Sequence, residues 1–112
     1  MLTYLASPYS SLHPAIRQLR YEQVTAVAAR LMTQGHLIYS PISMTHDMSI
    51  EHEMPTDWEF WERHCLAMLA ACSKLIVLKL DGWEESRGVM AEMLFAETTG
   101  IEIEFMEWAE VL

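Results

Sequence analysis

The sequence predicts an α/β fold: a small doubly wound, Rossmann- or flavodoxin-like parallel sheet of about four strands in the order 2-1-3-4, with helices on both faces. Three observations predict it. Short apolar runs alternate with amphipathic stretches in the order β-α-β-α-β-α-β, which demands parallel strands joined by right-handed crossovers. Residues 75–80 are apolar except for Lys79, as a strand covered on both faces should be. The 112 residues match one domain, with no repeat, low-complexity tract or linker to divide them.

Each element has its own signature. Residues 2–6 form a short apolar run, closed by the turn chemistry of Ser7-Pro8-Tyr9-Ser10-Ser11. From residue 14 to 34, Ile16, Leu19, Val24, Val27, Ala28 and Leu31 fall near one helical stripe. Pro14 suits the first turn of that helix and Gly35 its stop. Residues 37–40 read as the second strand, closed by Pro41. Residues 42–55 are polar, methionine-rich and irregular, a loop of about fourteen residues, and loops of that length are often functional lids. Thr56-Asp57-Trp58-Glu59 has the form of a capping box. The helix it opens carries Trp58, Trp61, Cys65, Met68, Leu69 and Cys72 on one face. The third strand, residues 75–80, is expected to place Lys79 at its exposed end. A further helix runs from about Ser86 to Thr98 and stops at Gly100. In the last strand, residues 101–106, Ile101, Ile103 and Phe105 alternate with Glu102 and Glu104, one face buried and one wet, as at a sheet edge.

Composition narrows the class. Hydrophobic residues make up 52% and charged residues 21%, which excludes a disordered chain. Cys65 and Cys72 lie seven apart in a helical pattern, so inert thiols of a reducing compartment are expected rather than a disulfide scaffold. No apolar run approaches the ~18 residues of a membrane span, and no basic, apolar leader opens the chain. A soluble cytoplasmic protein without a membrane partner is expected. The net charge of −9 is concentrated in residues 57–112, where twelve Asp and Glu face four Lys and Arg. Binding to a nucleic-acid polymer needs a basic footprint, and this chain has none. A small ligand touched by one or two arginines remains open.

In doubly wound sheets, ligands sit beyond the carboxyl ends of the strands near the switch in strand order. That selects residues 7–13, 41–55 and 81–86. Beside them, Gly88, Glu92 and Ala96 stack at i, i+4 and i+8, leaving the Glu92 carboxylate the clearance that a sugar ring requires. The plainer reading is a solvated glutamate on a helix that Gly88 brings close to the sheet. Ser86 stands at an N-cap position, where exposed backbone N–H groups and the helix dipole favour phosphate. Arg17, Arg20 and Arg87 are candidate anion contacts or, individually, partners in weak surface pairs. His46, Asp47, Glu51 and His52 match no closed zinc spacing, so neither a metal nor a cofactor is expected. Nucleophile-elbow, Walker A and dinucleotide-binding motifs do not occur.

Three stretches carry a resemblance: Tyr4-Leu5-Ala6-Ser7-Pro8-Tyr9, Gly35-His36 before a strand ending Ser40-Pro41, and residues 82–92, Gly-Trp-Glu-Glu-Ser-Arg-Gly-Val-Met-Ala-Glu. Together they resemble the nucleoside 2-deoxyribosyltransferase superfamily, most closely its small bacterial and phage branch, over essentially the whole chain. The resemblance implies a nucleophilic glutamate at Glu92. It implies a phosphate-binding serine at Ser86, as in the nucleoside 5′-monophosphate N-glycosidases. Tyr4 and residues 7–10 would form the first substrate loop, with Ser7 and Tyr9 touching substrate. Gly88, Arg17 and a base-stacking Trp83, Tyr9 or Trp58 complete the expected site, and the same resemblance suggests a homodimer. Two family aspartates, the first serving the leaving base, are replaced here by Cys65 and Ser73, and Ser10 stands near the place of a phosphate-loop arginine. Protonation of the base would then fall to Asp57, His64 or the loop histidines. The expected function is cleavage or transfer of an N-glycosidic bond in a nucleoside or nucleoside 5′-monophosphate. Its rivals are a non-catalytic nucleotide-binding module and an acidic interaction protein.

Overall fold

The structure is a computed structural model that describes residues 1–110. Its elements are β1 (Leu2–Ala6), α1 (Pro14–Thr33), β2 (Leu37–Tyr39), α2 (Pro41–Glu51), α3 (Trp58–Ala70), β3 (Lys74–Lys79), α4 (Arg87–Thr99) and β4 (Glu102–Glu107). Single 3-10 turns follow β3 at Trp83–Glu85 and β4 at Trp108–Glu110. Among the described residues the strands form one parallel four-stranded sheet ordered β2-β1-β3-β4. The α/β class and the strand order are those the sequence predicts. No described helix is long and apolar enough to cross a membrane.

The alternation of side chains along the central strands divides the core in two. Leu5, Ile76 and Leu78 point to the face covered by α1 and α2, where Val24, Val27, Ala28, Leu31 and Ile42 meet them. Tyr4, Ala6, Leu75 and Val77 point to the other face, against Cys65 and Leu69 of α3 and Val89 and Ala96 of α4. The register sets Tyr4 beside Leu75 and Ala6 beside Val77. From β1 the chain crosses one face to β2, and from β3 it crosses the other to β4. The carboxyl ends of β1 and β3 therefore open a crevice between the two departing connections.

The structure corrects several expectations. The expected loop at 42–55 is mostly helix: Ser40 caps α2, its Oγ 3.4 Å from Ser43 N, and Pro41 fills the first turn. The inward stripe of α2 is Ile42, His46 and Ser49, too polar to register as hydrophobic periodicity. The cap of α3 is Asp57, accepting from Phe60 N at 3.2 Å, rather than Thr56. Thr56 instead gives its carbonyl to Ser10 Oγ at 2.7 Å. On α1 the buried stripe starts only at Val24, because Ile16 and Leu19 run past the edge of the core and are exposed. On β4, Ile103 packs inward but Phe105 is 45% exposed, and Met106 packs on the opposite face. As an edge strand β4 has a covering on neither face complete enough to enforce strict alternation. Its acids are held across strands, Glu104 by Lys74 at 2.8 Å and Glu107 by Lys79 at 2.9 Å.

Leu69 is fully buried between α3 and the sheet. Leu69→Ala should cost about 2–5 kcal/mol, read as a lower urea midpoint with unchanged slope. A loss below about 1 kcal/mol would mean that α3 is not anchored there.

Candidate functional site

A cleft of about 650 Å³ opens in the crevice beyond β1 and β3, and each of the three sequence-selected loops contributes to its lining. The cleft is larger than most single side chains could fill and falls within the usual size range of small-molecule sites.

Glu92 forms its floor. The side chain projects inward from the second turn of α4, and the residue is only 4% exposed. Beneath it Tyr4, fully buried on β1, donates its hydroxyl proton to Glu92 Oε2. Burial, and then the neighbouring Glu92 charge, raises the Tyr4 phenol far above its ordinary range, so Tyr4 keeps its proton. Burial pushes the Glu92 carboxyl up to about 8, opposed by the Tyr4 hydrogen bond. At neutral pH Glu92 is therefore mainly the carboxylic acid. Cys65 of α3 lines the same floor, its thiol pushed up to about 11 by burial first and the Glu92 charge second. Ser7 Oγ is buried and without a hydrogen-bond partner among the described residues. As a lining residue of the cleft, Ser7 is left with hydrogen-bonding capacity for a ligand.

The walls come from four elements. Ser86 caps α4, its Oγ accepting from Val89 N at 3.2 Å, and Ser86, Arg87 and Gly88 all face the cleft. The first-turn amides of such a helix have no intrahelical acceptor. Arg20 reaches across from α1, bonding Ser10 O at 2.9 Å and Asp81 O at 3.2 Å. Gly82 makes this possible: its φ of +86° suits glycine, and a Cβ there would lie 2.7 Å from Arg20 Nη2. Trp58 packs on Gly88, where an added Cβ would sit 3.1 Å from the indole. The opposite wall is α2, through Ile42, Thr45 and Ser49. Tyr9 borders it with its hydroxyl 2.7 Å from His46 Nδ1. Asp57, Glu59 and Glu85 stand on the rim, and Arg87 is paired with Glu59.

Residues 1–108 match the model of a family described as a domain of unknown function, DUF1937. The chain belongs to the DUF1937 family. No curated protein matches it.

In this DUF1937 domain, Ser7, Tyr9, Ser86, Gly88 and Glu92 come together in one cleft, as do Arg20 and Trp58. Three expected contacts do not. Trp83 lies outside the lining, because the 3-10 turn directs its ring toward Phe105, with centroids 5.8 Å apart. Arg17 also stays outside, its guanidinium donating to Ser11 O. Tyr4 is below the floor, bonded to Glu92 and not itself among the lining residues. The clearance at Gly88 is taken up by Trp58. His46 is taken up by Tyr9 and by Gln18, and among the described residues no cluster of His, Cys, Asp and Glu could hold a metal. His64 sits beside the Tyr39 hydroxyl at 3.1 Å, whereas Asp57 lines the cleft. Thr45 and Ser49 were not singled out in the sequence, since only recognition of α2 as a helix gives them a common face.

The raised Glu92 carboxyl has a stability consequence. Between about pH 4.5 and 8 the unfolded chain has lost that proton while the folded chain keeps it, so stability falls as pH rises through this window. Glu92→Gln should remove that decline, worth a few kcal/mol, in urea titrations across the window. Parallel pH profiles for the two proteins would exclude a buried, protonated Glu92.

Proposed function

We propose that the cleft binds a nucleoside or nucleoside 5′-monophosphate and that Glu92 opens its N-glycosidic bond. The observation that carries this reading is a carboxyl buried at the floor of a cleft of about 650 Å³ and held by Tyr4. The resemblance of residues 4–9 and 82–92 to the nucleoside 2-deoxyribosyltransferase superfamily supports the same assignment.

The chemistry follows from these groups. Glu92 must first ionise, and the Tyr4 hydroxyl stabilises the carboxylate by donating to Oε2. The other carboxylate oxygen attacks C1′ as the C1′–N bond breaks, and the base leaves with the bonding pair and takes a proton from water. The glycosyl ester is then opened by water, giving the free sugar, or by a second base, giving an exchanged nucleoside; Glu92 is regenerated either way. Trp58 offers an aromatic wall for the base. Ser86 and the start of α4 offer donors for a 5′-phosphate, which must pass a rim carrying Asp57, Glu59 and Glu85.

One observation favours a second reading, a nucleotide-binding module without turnover. The position beside Glu92 that would carry an acid for the leaving base holds the Cys65 thiol.

The test is incubation with nucleosides and their 5′-monophosphates, read by chromatography for released base. Base release is expected to rise with pH through about 8, because the carboxylate is the nucleophile. Glu92→Gln should lower turnover by at least about a thousandfold while leaving binding nearly intact. Equal turnover in that variant would sink the mechanism, and binding without turnover in the unmutated chain would select the second reading.

A further inference from the structure

The hydrogen bonds around His46 determine which way a proton points in the cleft. Gln18 Nε2 lies 3.3 Å from Glu22 Oε2, and an ionised carboxylate only accepts. This orients the amide and leaves Gln18 Oε1 facing His46 Nε2 at 2.9 Å. A carbonyl oxygen also only accepts, so neutral His46 carries its proton on Nε2 and its Nδ1 is the acceptor. Tyr9, whose hydroxyl is 2.7 Å from Nδ1, must donate there. The rings support this arrangement: Tyr21 stacks on His46 with centroids 4.3 Å apart, and Tyr9 meets it edge-on at 5.6 Å. The phenol thus spends its proton on His46, and its oxygen keeps lone pairs for a ligand in the cleft that Tyr9 lines.

We propose that His46 is a positioning residue that holds Tyr9 as a hydrogen-bond acceptor, so that a bound ligand meets Tyr9 with a hydroxyl or amino hydrogen and not with a carbonyl or phosphate oxygen. The ligand half of this proposal rests on the nucleoside reading; the polarity of the chain from Glu22 through Gln18 and His46 to Tyr9 does not. Protonating His46 reverses it. Nδ1 then becomes a donor, the Tyr9 oxygen accepts from it, and the phenolic hydrogen is released toward the cleft. The groups around the imidazole are Arg17, Gln18, Tyr21 and Glu22 of α1, Tyr9 of the loop after β1, and Asp47 of α2. Burial lowers the His46 pKa most, assisted by Arg17 and opposed by Asp47 and Glu22, so the reversal belongs to acid pH.

The test has two arms on the full chain. Nitrogen-15 NMR, with His46→Asn to assign the ring, should find the neutral Nε2–H form at neutral pH. A proton on Nδ1 would overturn the proposal. In the second arm, affinity for adenosine and adenosine 5′-monophosphate is followed by tryptophan fluorescence from mildly acid to neutral pH. Affinity should change by about three- to tenfold, the worth of one hydrogen bond, with the midpoint of His46. Tyr9→Phe should flatten that change. Gln18→Glu, which sets a carboxylate against Nε2 outside the cleft, should move the midpoints of His46 and of affinity upward together. The phosphate's own titration stays put in that variant. Affinity indifferent to His46 in a chain that binds either probe would overturn the proposal. Failure to bind both probes, with the Nε2–H form observed, would instead overturn the nucleoside reading and leave the Tyr9 polarity supported.

Discussion

The contact between Tyr4 and Glu92 joins the middle of the sheet to α4 at a point from which both protein halves are organised. A carboxyl in the core is expensive unless it is neutral or well bonded, and here it is both buried and bonded to a phenol. Tyr4 reaches it because β1 is central and its alternation turns residue 4 toward the α3–α4 face. Glu92 reaches it from the stripe of α4 on which Ala96 is buried against the sheet, while Trp58 of α3 fills the space at Gly88. The same packing brings the start of α4 to the cleft.

The two walls of the cleft have different physical characters. The α3–α4 side is dense: Cys65 and Trp58 pack in one cluster with Leu75 and Val77, and Glu92 is held by Tyr4. The α2 side is held by polar contacts, with Thr25 on Ser43 at 2.6 Å and Tyr9 and Gln18 on His46. Polar networks of this kind impose direction as well as position, because each donor needs an acceptor. The dense side presents a buried carboxyl, and the polar side presents hydrogen-bond donors and acceptors. A chemistry built on Glu92 would therefore draw its orientation from α2.

Legibility followed the kind of force involved. The sheet order, the first turn at Pro14, the cap at Ser86, and the stop at Gly100 were readable because backbone preference and apolar burial leave local marks. Glu92 was readable as unusual from its small neighbours, though the reason for Gly88 turned out to be an indole from another helix. Helix α2 was hidden because two of its three inward residues after Pro41, His46 and Ser49, are polar. His46 is held inside by Gln18 of α1 and Tyr9 of the loop after β1, and no window of local sequence contains those partners. Trp83 and Arg17 were misplaced for a related reason: their loops were assigned correctly, but the direction of a side chain from a turn depends on what packs beside it.

By itself, the sequence determined the α/β class, the strand order, the end of the sheet where a cleft must open, and the helix that carries Glu92. These follow from periodicity, chain direction and turn chemistry, which act over a few residues. Only the tertiary structure decided that Glu92 is buried on Tyr4, that Arg20 rather than Arg17 faces the cleft, and that Tyr9 is bonded to His46. Those outcomes depend on desolvation and on pairings such as Tyr4 with Glu92, 88 positions apart, and both quantities exist only once the chain has closed around them.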